Sequence, residues 1–349
     1  MSTQCVDILS RSEPIAARPL VSILVPVYNV ADYIEACVTS IMSQIDGDDI
    51  ELILLDDAST DASFALCQML CQKYGSVITL MRHDENQGQS AARNRLLSES
   101  RGQYLWFIDS DDMILPGALA DLRDIIITHA PEIIMCDYLH NGRVCASFAG
   151  KAHGLENDGE ALVQGIFASR KMHIWTKISR RELWAENLRF PVGKAFEDVA
   201  LTPWLLLKAK SYYYCTRPWV FYRSHSASIM AQISRTKGVF DDQRNDDLAM
   251  ALSGYNYDFH KQFPNPSAET LYATAHFCAK EFTKIVLRLI RNRVGQDSWH
   301  TISSKLCRYK GLMQDCSPLS FDQLSDEYLR RRMMMRWCEM KICLQLARR

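Results

Sequence analysis

The strongest constraint on this chain is a regular exchange of two hydrophobic periods between Val21 and Cys136. Val21–Val27 is a continuous apolar, β-branched run, the form taken by a strand buried on both faces. After Asn29, apolar residues recur at Tyr33, Ile34, Cys37, Val38, Ile41, Met42 and Ile45, one stripe of an amphipathic helix. The alternation then repeats. Strands are predicted at Ile50–Leu55, Val77–Met81, Tyr104–Ile108 and Glu132–Cys136, and helices from Asp61, at Gln89–Ser100 and at Gly117–His129. Strands separated by helices must run parallel, because a crossover of this length returns the chain to the same edge of the sheet. A parallel sheet with helices on both faces takes ligands at the carboxyl ends of its strands.

Those strand ends carry acids. The second strand runs into Asp56-Asp57-Ala58-Ser59-Thr60-Asp61, and the fourth into Asp109-Ser110-Asp111-Asp112. Carboxylates crowded at the tip of an apolar strand must be solvated, paired or bound to a cation. Ser59, Thr60 and Asp61 also suit a helix start, and Asp112 suits a turn or cap. Asp56, Asp57 and the trio Asp109, Asp111 and Asp112 point instead to a divalent-cation site, since Mg²⁺ and Mn²⁺ select carboxylate oxygens and substrate phosphates. The chain has neither Gly-x-x-x-x-Gly-Lys nor Gly-x-Gly-x-x-Gly after its first strand, which excludes a P-loop and a nicotinamide fingerprint.

Composition sets limits on the partners. A net charge of -1 over 349 residues gives no general attraction to nucleic acid. The 12 cysteines include no Cys-x-x-Cys pair, so they read as core residues of a reducing compartment rather than a zinc site or disulfide frame. No apolar run approaches the roughly 20 residues of a spanning helix, and Met1–Arg18 lacks a signal-peptide core, so a cytoplasmic location is expected. From residue 280 onward, 15 Lys or Arg stand against 7 Asp or Glu. Arg330–Cys343 interleaves this charge with Met333, Met334, Met335, Trp337, Met340 and Ile342. Such a tract is either a helical packing module with a solvated basic face or an interfacial helix against anionic lipid.

An ordered set of motifs carries a family resemblance. Val25-Pro26-Val27-Tyr28-Asn29, the run from Glu51 to Asp61, Asn86-x-Gly88-x-x-Ala91-x-Arg93-Asn94 and Phe107-Ile108-Asp109-Ser110-Asp111-Asp112 resemble the family 2 glycosyltransferases of the GT-A fold. Trp175-Thr176-Lys177, Phe190-Pro191, Phe196-Glu197-Asp198 and Tyr222-Arg223-x-His225-x-x-Ser228-Ile229 extend the likeness to about residue 230. The resemblance implies inverting transfer of a hexose or N-acetylhexosamine from a nucleotide diphosphate sugar, a UDP-sugar above all, to a surface glycan or lipid-linked acceptor.

It also implies roles for single residues. Pro26, Tyr28 and Asp57 would cradle the nucleobase, Asp57 accepting from the uracil N–H. Asn29, Asn86 and Gly88 belong to the same donor side. Arg93 would lie against the nucleotide or its diphosphate. Asp109 would meet the ribose or sugar, and Asp111 the metal, Mn²⁺ or Mg²⁺, with Asp112 sharing either role. Asp198 would be the catalytic base, and Glu197 would orient it or bind acceptor. His225 would reach the metal or diphosphate, unless it is an ordinary packed histidine. Lys177 is either a solvated lysine or a contact to phosphate or acceptor, and Trp175 either fills core or stacks on sugar.

The expected organisation is an α/β GT-A chain, Rossmann-like with a mostly parallel sheet. It has an N-terminal extension (1–18), a catalytic domain (19–235) and a helical region (236–349). Within the catalytic domain, 19–137 is the nucleotide-sugar half and 138–235 the acceptor half. Peripheral membrane contact through the basic C-terminal region would suit a lipid-linked acceptor. Two rivals remain: a sugar nucleotidyltransferase, disfavoured by Pro-Val-Tyr-Asn where a Gly-rich basic loop is needed, and a catalytically silent glycan-binding scaffold.

Overall fold

Val21–Val27 becomes the strand its sequence predicts, with all seven residues buried. A computed structural model of the chain describes residues 18–185, 188–224 and 242–348. Strand β1 (Val21–Val27), helix α1 (Ile34–Met42), β2 (Ile50–Asp56), α2 (Ser63–Tyr74), β3 (Ile78–Arg82), α3 (Gln89–Glu99) and β4 (Tyr104–Phe107) follow the predicted alternation. The short β5 (Met113–Ile114) then leads to α4 (Ala118–His129) and β6 (Ile133–His140). Next come β7 (Arg143–Cys145), β8 (Leu155–Glu156), α5 (Gly159–Ser169), β9 (Lys177–Arg180), α6 (Glu197–Lys208) and β10 (Tyr212–Tyr222). Six helices complete the described chain: α7 (Asp242–Met250), α8 (Tyr255–Gln262), α9 (Ala268–Arg293), α10 (Trp299–Asp315), α11 (Phe321–Arg330) and α12 (Met334–Leu346).

The sheet is mixed rather than mostly parallel. Its order is β3-β2-β1-β4-β9-β6-β10-β5, with β7 on β6 and β8 on β10. The first four strands are parallel neighbours, as expected. The predicted fifth strand, β6, does not join them directly. Antiparallel β9 stands between β4 and β6, and β6 pairs in parallel with β10. Strand β9 reads Lys-Ile-Ser-Arg, with one apolar residue and no alternation, so its sequence carries little strand signal. Strand β10 contains Pro218, and the register shifts on both sides of it, since proline has no N–H for the ladder.

Two cores sandwich the sheet. On one face Val21, Ile23 and Val25 pack with Ile34, Cys37, Val38 and Leu122. On the other, Leu24, Ile53 and Phe107 pack with Leu96, Val163, Leu205 and, from the C-terminal helices, Tyr255, Phe282, Leu306 and Leu344. The C-terminal helices therefore share a core with the sheet instead of forming a separate body, and the expected limit at residue 235 falls outside the described residues. Every cysteine among the described residues is a free thiol. Among those residues no helix is long and apolar enough to cross a membrane.

Candidate active site

The strand ends of β1 and β2 are tied to one another before any ligand is considered. Asn29, at φ 50, accepts a hydrogen bond from the Thr60 amide through Oδ1 (2.8 Å), and its own amide donates to Ser59 Oγ (3.1 Å). Left-handed backbone suits asparagine and is rare for alanine, yet Ala58 also lies there at φ 56. Asp56 is fully buried and accepts from the Ser59 amide (3.1 Å) and Arg82 Nε (3.1 Å). Asp61 accepts from the amides of Ser63 and Ala31. Asp61 thus forms a turn just before α2, whose N-cap is Ala62, while Asp56 and Asp57 serve the loops.

Asp57 organises the loop that leads into α3. Its carboxylate accepts from His83 Nδ1 (2.7 Å), the Gln87 amide (2.9 Å) and the Gly88 amide (2.8 Å), and Asn86 Nδ2 reaches its carbonyl at 3.4 Å. Gly88 sits at φ 85, open to glycine at no steric cost, and the helix begins at the next residue. Pro26 is buried in β1 beside this loop system, whereas the Tyr28 side chain is 45% exposed. These predicted donor residues therefore line one end of the sheet.

One turn into α3, Arg93 is turned inward and 1% exposed. Its Nη2 donates to Asp109 Oδ1 (2.9 Å), and its Nη1 to Glu197 Oε1 (3.0 Å) and Asp198 Oδ1 (3.2 Å). Burial works against its charge, but the three carboxylates hold it firmly protonated. The neighbouring Asn94 clamps Phe190 through a reciprocal pair of hydrogen bonds (2.8 and 2.9 Å). Helix α3 thereby anchors the segment that delivers Glu197 and Asp198 at the start of α6. Asp198 Oδ2 also accepts from the Ile174 amide (3.4 Å). Burial pushes the Asp198 carboxyl up to about 7; Arg93 opposes the rise, and the charges of Glu197 and Asp109 add to it. A carboxyl in that range can both accept and release a proton near neutral pH.

The Asp109–Asp112 turn forms the other half of the site. Ligand atoms of Asp109, Asp111 and Asp112 all lie within 4.8 Å of one another. Arg223 locks the turn from outside. Its amide donates to Asp112 Oδ1 (2.9 Å), its Nη2 to the carbonyls of Tyr33 (3.1 Å) and Asp112 (3.2 Å), and its Nε to the Asp111 carbonyl. Asp112 is fully buried, and its Oδ2 has no partner among the described residues. Burial and the charges of Asp109 and Asp111 push its carboxyl up to about 9. Asp109 is likewise raised, by burial first, with Arg93 opposing. An orphaned buried oxygen among three hard donors fits Mg²⁺ or Mn²⁺.

Arg93 directs both Nη atoms at carboxylates, and the expected donor contact of Lys177 stands elsewhere. Lys177 is fully buried, and its Nζ donates to the Lys171 carbonyl (2.7 Å), the His173 carbonyl (2.8 Å) and Thr176 Oγ1 (2.7 Å). An ammonium has three N–H groups, so these partners leave none for a phosphate. Burial lowers Lys177 to about 7. Trp175 is 4% exposed, stacked between His173 (4.9 Å) and Tyr222 (5.7 Å). His225 lies outside the described residues. Sequence reasoning missed Gln89, an unspecified position of the Asn86–Asn94 motif whose amide lies between Arg93 Nη2 (2.7 Å) and Glu197 Oε1 (3.3 Å), and the structural part of Arg223, which belongs to a quoted motif.

Comparison with known proteins agrees with this geometry. Residues 22–184 match the family model described as Glycosyl transferase family 2. "Glycosyltransferase GlyA" and "Glycosyltransferase GlyG" of Streptococcus pneumoniae are each 28% identical to the chain over 60% of its length, covering 31% and 73% of their own. The "GalNAc(5)-diNAcBac-PP-undecaprenol beta-1,3-glucosyltransferase" of Campylobacter jejuni is 28% identical over 56% of this chain and 62% of its own. The chain thus spans about a third of GlyA and under two thirds of the Campylobacter protein. The crystal structure of S. aureus TarS 1-349 in complex with UDP-GlcNAc superposes with a TM-score of 0.66 over 93% of this chain and 91% of that one, at 18% identity, which places the fold as GT-A. Residues 22–184 are therefore a family 2 glycosyltransferase domain.

Proposed function

We propose that this chain is an inverting, metal-dependent glycosyltransferase that moves a hexose or N-acetylhexosamine from a UDP-sugar to a surface glycan or lipid-linked acceptor. One observation carries the reading: Arg93 gathers Asp109 from one segment and Glu197 and Asp198 from another, beside the Asp109–Asp112 carboxylate cluster. A helix-capping or scaffold function needs no such convergence. UDP as the nucleotide is supported by the fold shared with UDP-GlcNAc-bound TarS, and a lipid-linked acceptor by the Campylobacter relative's name.

In this reading the nucleobase lies among Pro26, Tyr28 and Asp57, over the loop of Asn29, Asn86 and Gly88. Asp57 Oδ2, which accepts one hydrogen bond from the Gly88 amide, retains a lone pair for a base N–H. Asp109 faces the ribose or sugar. Asp111 and Asp112, with Asp109, would hold the cation, and the assignment of His225 to it rests on the sequence alone. When bound, a divalent cation there would neutralise the charge that develops on the leaving diphosphate. Asp198 accepts the proton of the acceptor hydroxyl as its oxygen attacks the anomeric carbon from the face opposite the diphosphate. Arg93 and the Ile174 amide fix the direction of that carboxylate, and Glu197 shares Arg93 with it. One base and one displacement invert the sugar carbon. The reaction is proposed for the cytoplasmic side of a membrane, where free cysteines persist.

The test is a panel of UDP-, GDP- and dTDP-sugars with Mn²⁺, scored for released nucleoside diphosphate and for donor-induced thermal shift. Release from one donor, lost with EDTA and in Asp111→Ala, is the expected result. Neither release nor metal-dependent binding from any donor would overturn the reading in favour of a silent scaffold.

A further inference from the structure

We propose that the outer face of α9 and α12 docks on an anionic lipid bilayer. This surface lies outside the residues used for transfer, and the proposal is independent of which sugar is moved. The structure divides the Met- and Trp-bearing tract between two fates. Met340 is 2% exposed, and Met333 and Trp337 pack against the core. Met334, Met335 and Ile342 are 51%, 87% and 60% exposed. With Val286, Leu287 and Ile290 of α9 they border an open apolar groove of about 640 Å³. Leu287 is 59% exposed, and Val294 and Trp299, just beyond the end of α9, are 58% and 52% exposed. An exposed apolar groove of this kind marks a contact. Methionine side chains adapt to irregular partners, and tryptophan favours a headgroup boundary.

The surrounding charge selects the partner. Lys284 and Arg291 stand one turn to either side of Leu287, Arg332 and Arg336 flank Met335, and Lys341 adjoins Ile342. The five cations outnumber the three acids nearby, which pair with some of them. Glu339 meets Lys280 and Arg336, Glu281 meets Arg170 and Lys284, and Asp322 lies 3.8 Å from Lys341. A twofold contact between two copies would set this basic rim against itself. An anionic bilayer supplies the opposite charge around a surface that accepts apolar side chains.

The experiment is co-sedimentation of the full chain with vesicles of phosphatidylglycerol and phosphatidylethanolamine, against vesicles of phosphatidylcholine alone, without donor. Binding to the anionic vesicles that weakens with salt, and little to the neutral ones, is expected. The double change Arg291→Gln with Arg332→Gln should lower partitioning about 25-fold, roughly fivefold per charge. Met335→Asp with Ile342→Asp should lower it at least tenfold while keeping the wild-type melting temperature. Equal sedimentation of the variants and the wild type, or no binding to anionic vesicles, overturns the proposal. So does a concentration-dependent dimer that the same variants break, which would assign the face to a second copy. Because no sugar is present, neither result bears on the transferase reading.

We further infer that Asp247 of α7 is a positioning residue for Asp198, an inference that rests on Asp198 acting as the base. Asp247 is 7% exposed. Its Oδ2 accepts from the Ala195 amide (3.1 Å), and its Oδ1 from Lys194 Nζ (3.1 Å) and Gln243 Nε2 (2.8 Å). The next residue, Phe196, is held left-handed at φ 60 and ψ 38, and α6 begins at Glu197. A bulky side chain keeps that conformation only when its surroundings impose it. Asn94 anchors the segment at Phe190 and Asp247 anchors it at Ala195, so the C-terminal helices set where the carboxylates start. Asp247→Ala should lower kcat at least tenfold with the donor KM within twofold. Asp247→Asn, whose amide oxygen can still accept from Ala195, should recover most of the loss. An unchanged kcat in Asp247→Ala, or equal losses of kcat and melting temperature in both variants, overturns the inference. Asp198→Asn assayed alongside separates the two claims, since full activity there removes the base itself.

Discussion

Replacing Arg93 by methionine removes one cation from among three carboxylates while keeping an unbranched side chain in its place. The guanidinium is 1% exposed and lies 2.9, 3.0 and 3.2 Å from Asp109, Glu197 and Asp198. Breaking a buried charge network from one side costs about 3–5 kcal/mol, because the opposite charges stay behind. The three carboxylates are 22%, 19% and 19% exposed, and water relieves part of their repulsion, so the low end, about 3 kcal/mol, applies. Over 349 residues, an unfolding entropy of about 2.1 cal/mol/K per residue turns this into a melting-temperature loss of about 4 °C. The loss depends on pH. Arg93 opposes the upward push of burial on Asp109 and Asp198. Without it both carboxyls rise further, and the folded variant binds more protons than the folded wild type. Variant stability must then fall more steeply as pH rises, so the deficit is small near pH 5 and grows through and beyond pH 7. Urea unfolding of both proteins at pH 5, 7 and 8.5 reads this directly. Asp198→Asn in the same background should recover at least about 1 kcal/mol at pH 8.5. A deficit below about 1 kcal/mol, or one that is equal at all three pH values, refutes the coupling of these carboxylates through Arg93.

Asp198→Asn should lower kcat by about 10²- to 10⁴-fold, the range of a lost general base, while donor-induced thermal shift persists. Since burial pushes Asp198 up to about 7 and the ionised form is the base, wild-type turnover should rise with pH through about 7 and level off above it. A flat profile from pH 5.5 to 8 contradicts that assignment. Mn²⁺ should raise the wild-type melting temperature and EDTA should reverse the gain, whereas Asp111→Ala should respond to neither. Gly102→Ala would place a methyl group 2.5 Å from the Ser22 amide nitrogen and 2.6 Å from its Oγ, where β1 passes. The change should cost about 1–3 kcal/mol in urea unfolding without altering donor binding, and an unchanged midpoint would show that the backbone yields there.

Much of the chain up to Cys136 is legible in the sequence itself. A seven-residue β-branched run such as Val21–Val27, or a helical stripe such as Ile34, Cys37, Val38 and Ile41, declares its structure within one short window. Acids at the ends of such strands, Asp56, Asp57 and Asp109 to Asp112, gather because parallel strands put their carboxyl ends on one edge of the sheet. Strand β9 is not legible, because Lys177–Arg180 has no apolar period and is drawn into the sheet by its neighbours.

The sequence by itself determined the order of the main strands and helices up to Cys136, the edge of the sheet on which the acids gather, and the oxygen-rich character of that edge. Only the tertiary structure decided that Arg93 meets carboxylates 104 and 105 residues away, that Lys177 is spent on carbonyls, and that Asp247 reaches back to Ala195. The physical reason is range. Periodicity and turn chemistry act over a few residues, so they are written locally. A charged side chain has the same local sequence whether water or a buried partner receives it, and that choice follows from which surfaces the whole chain packs together.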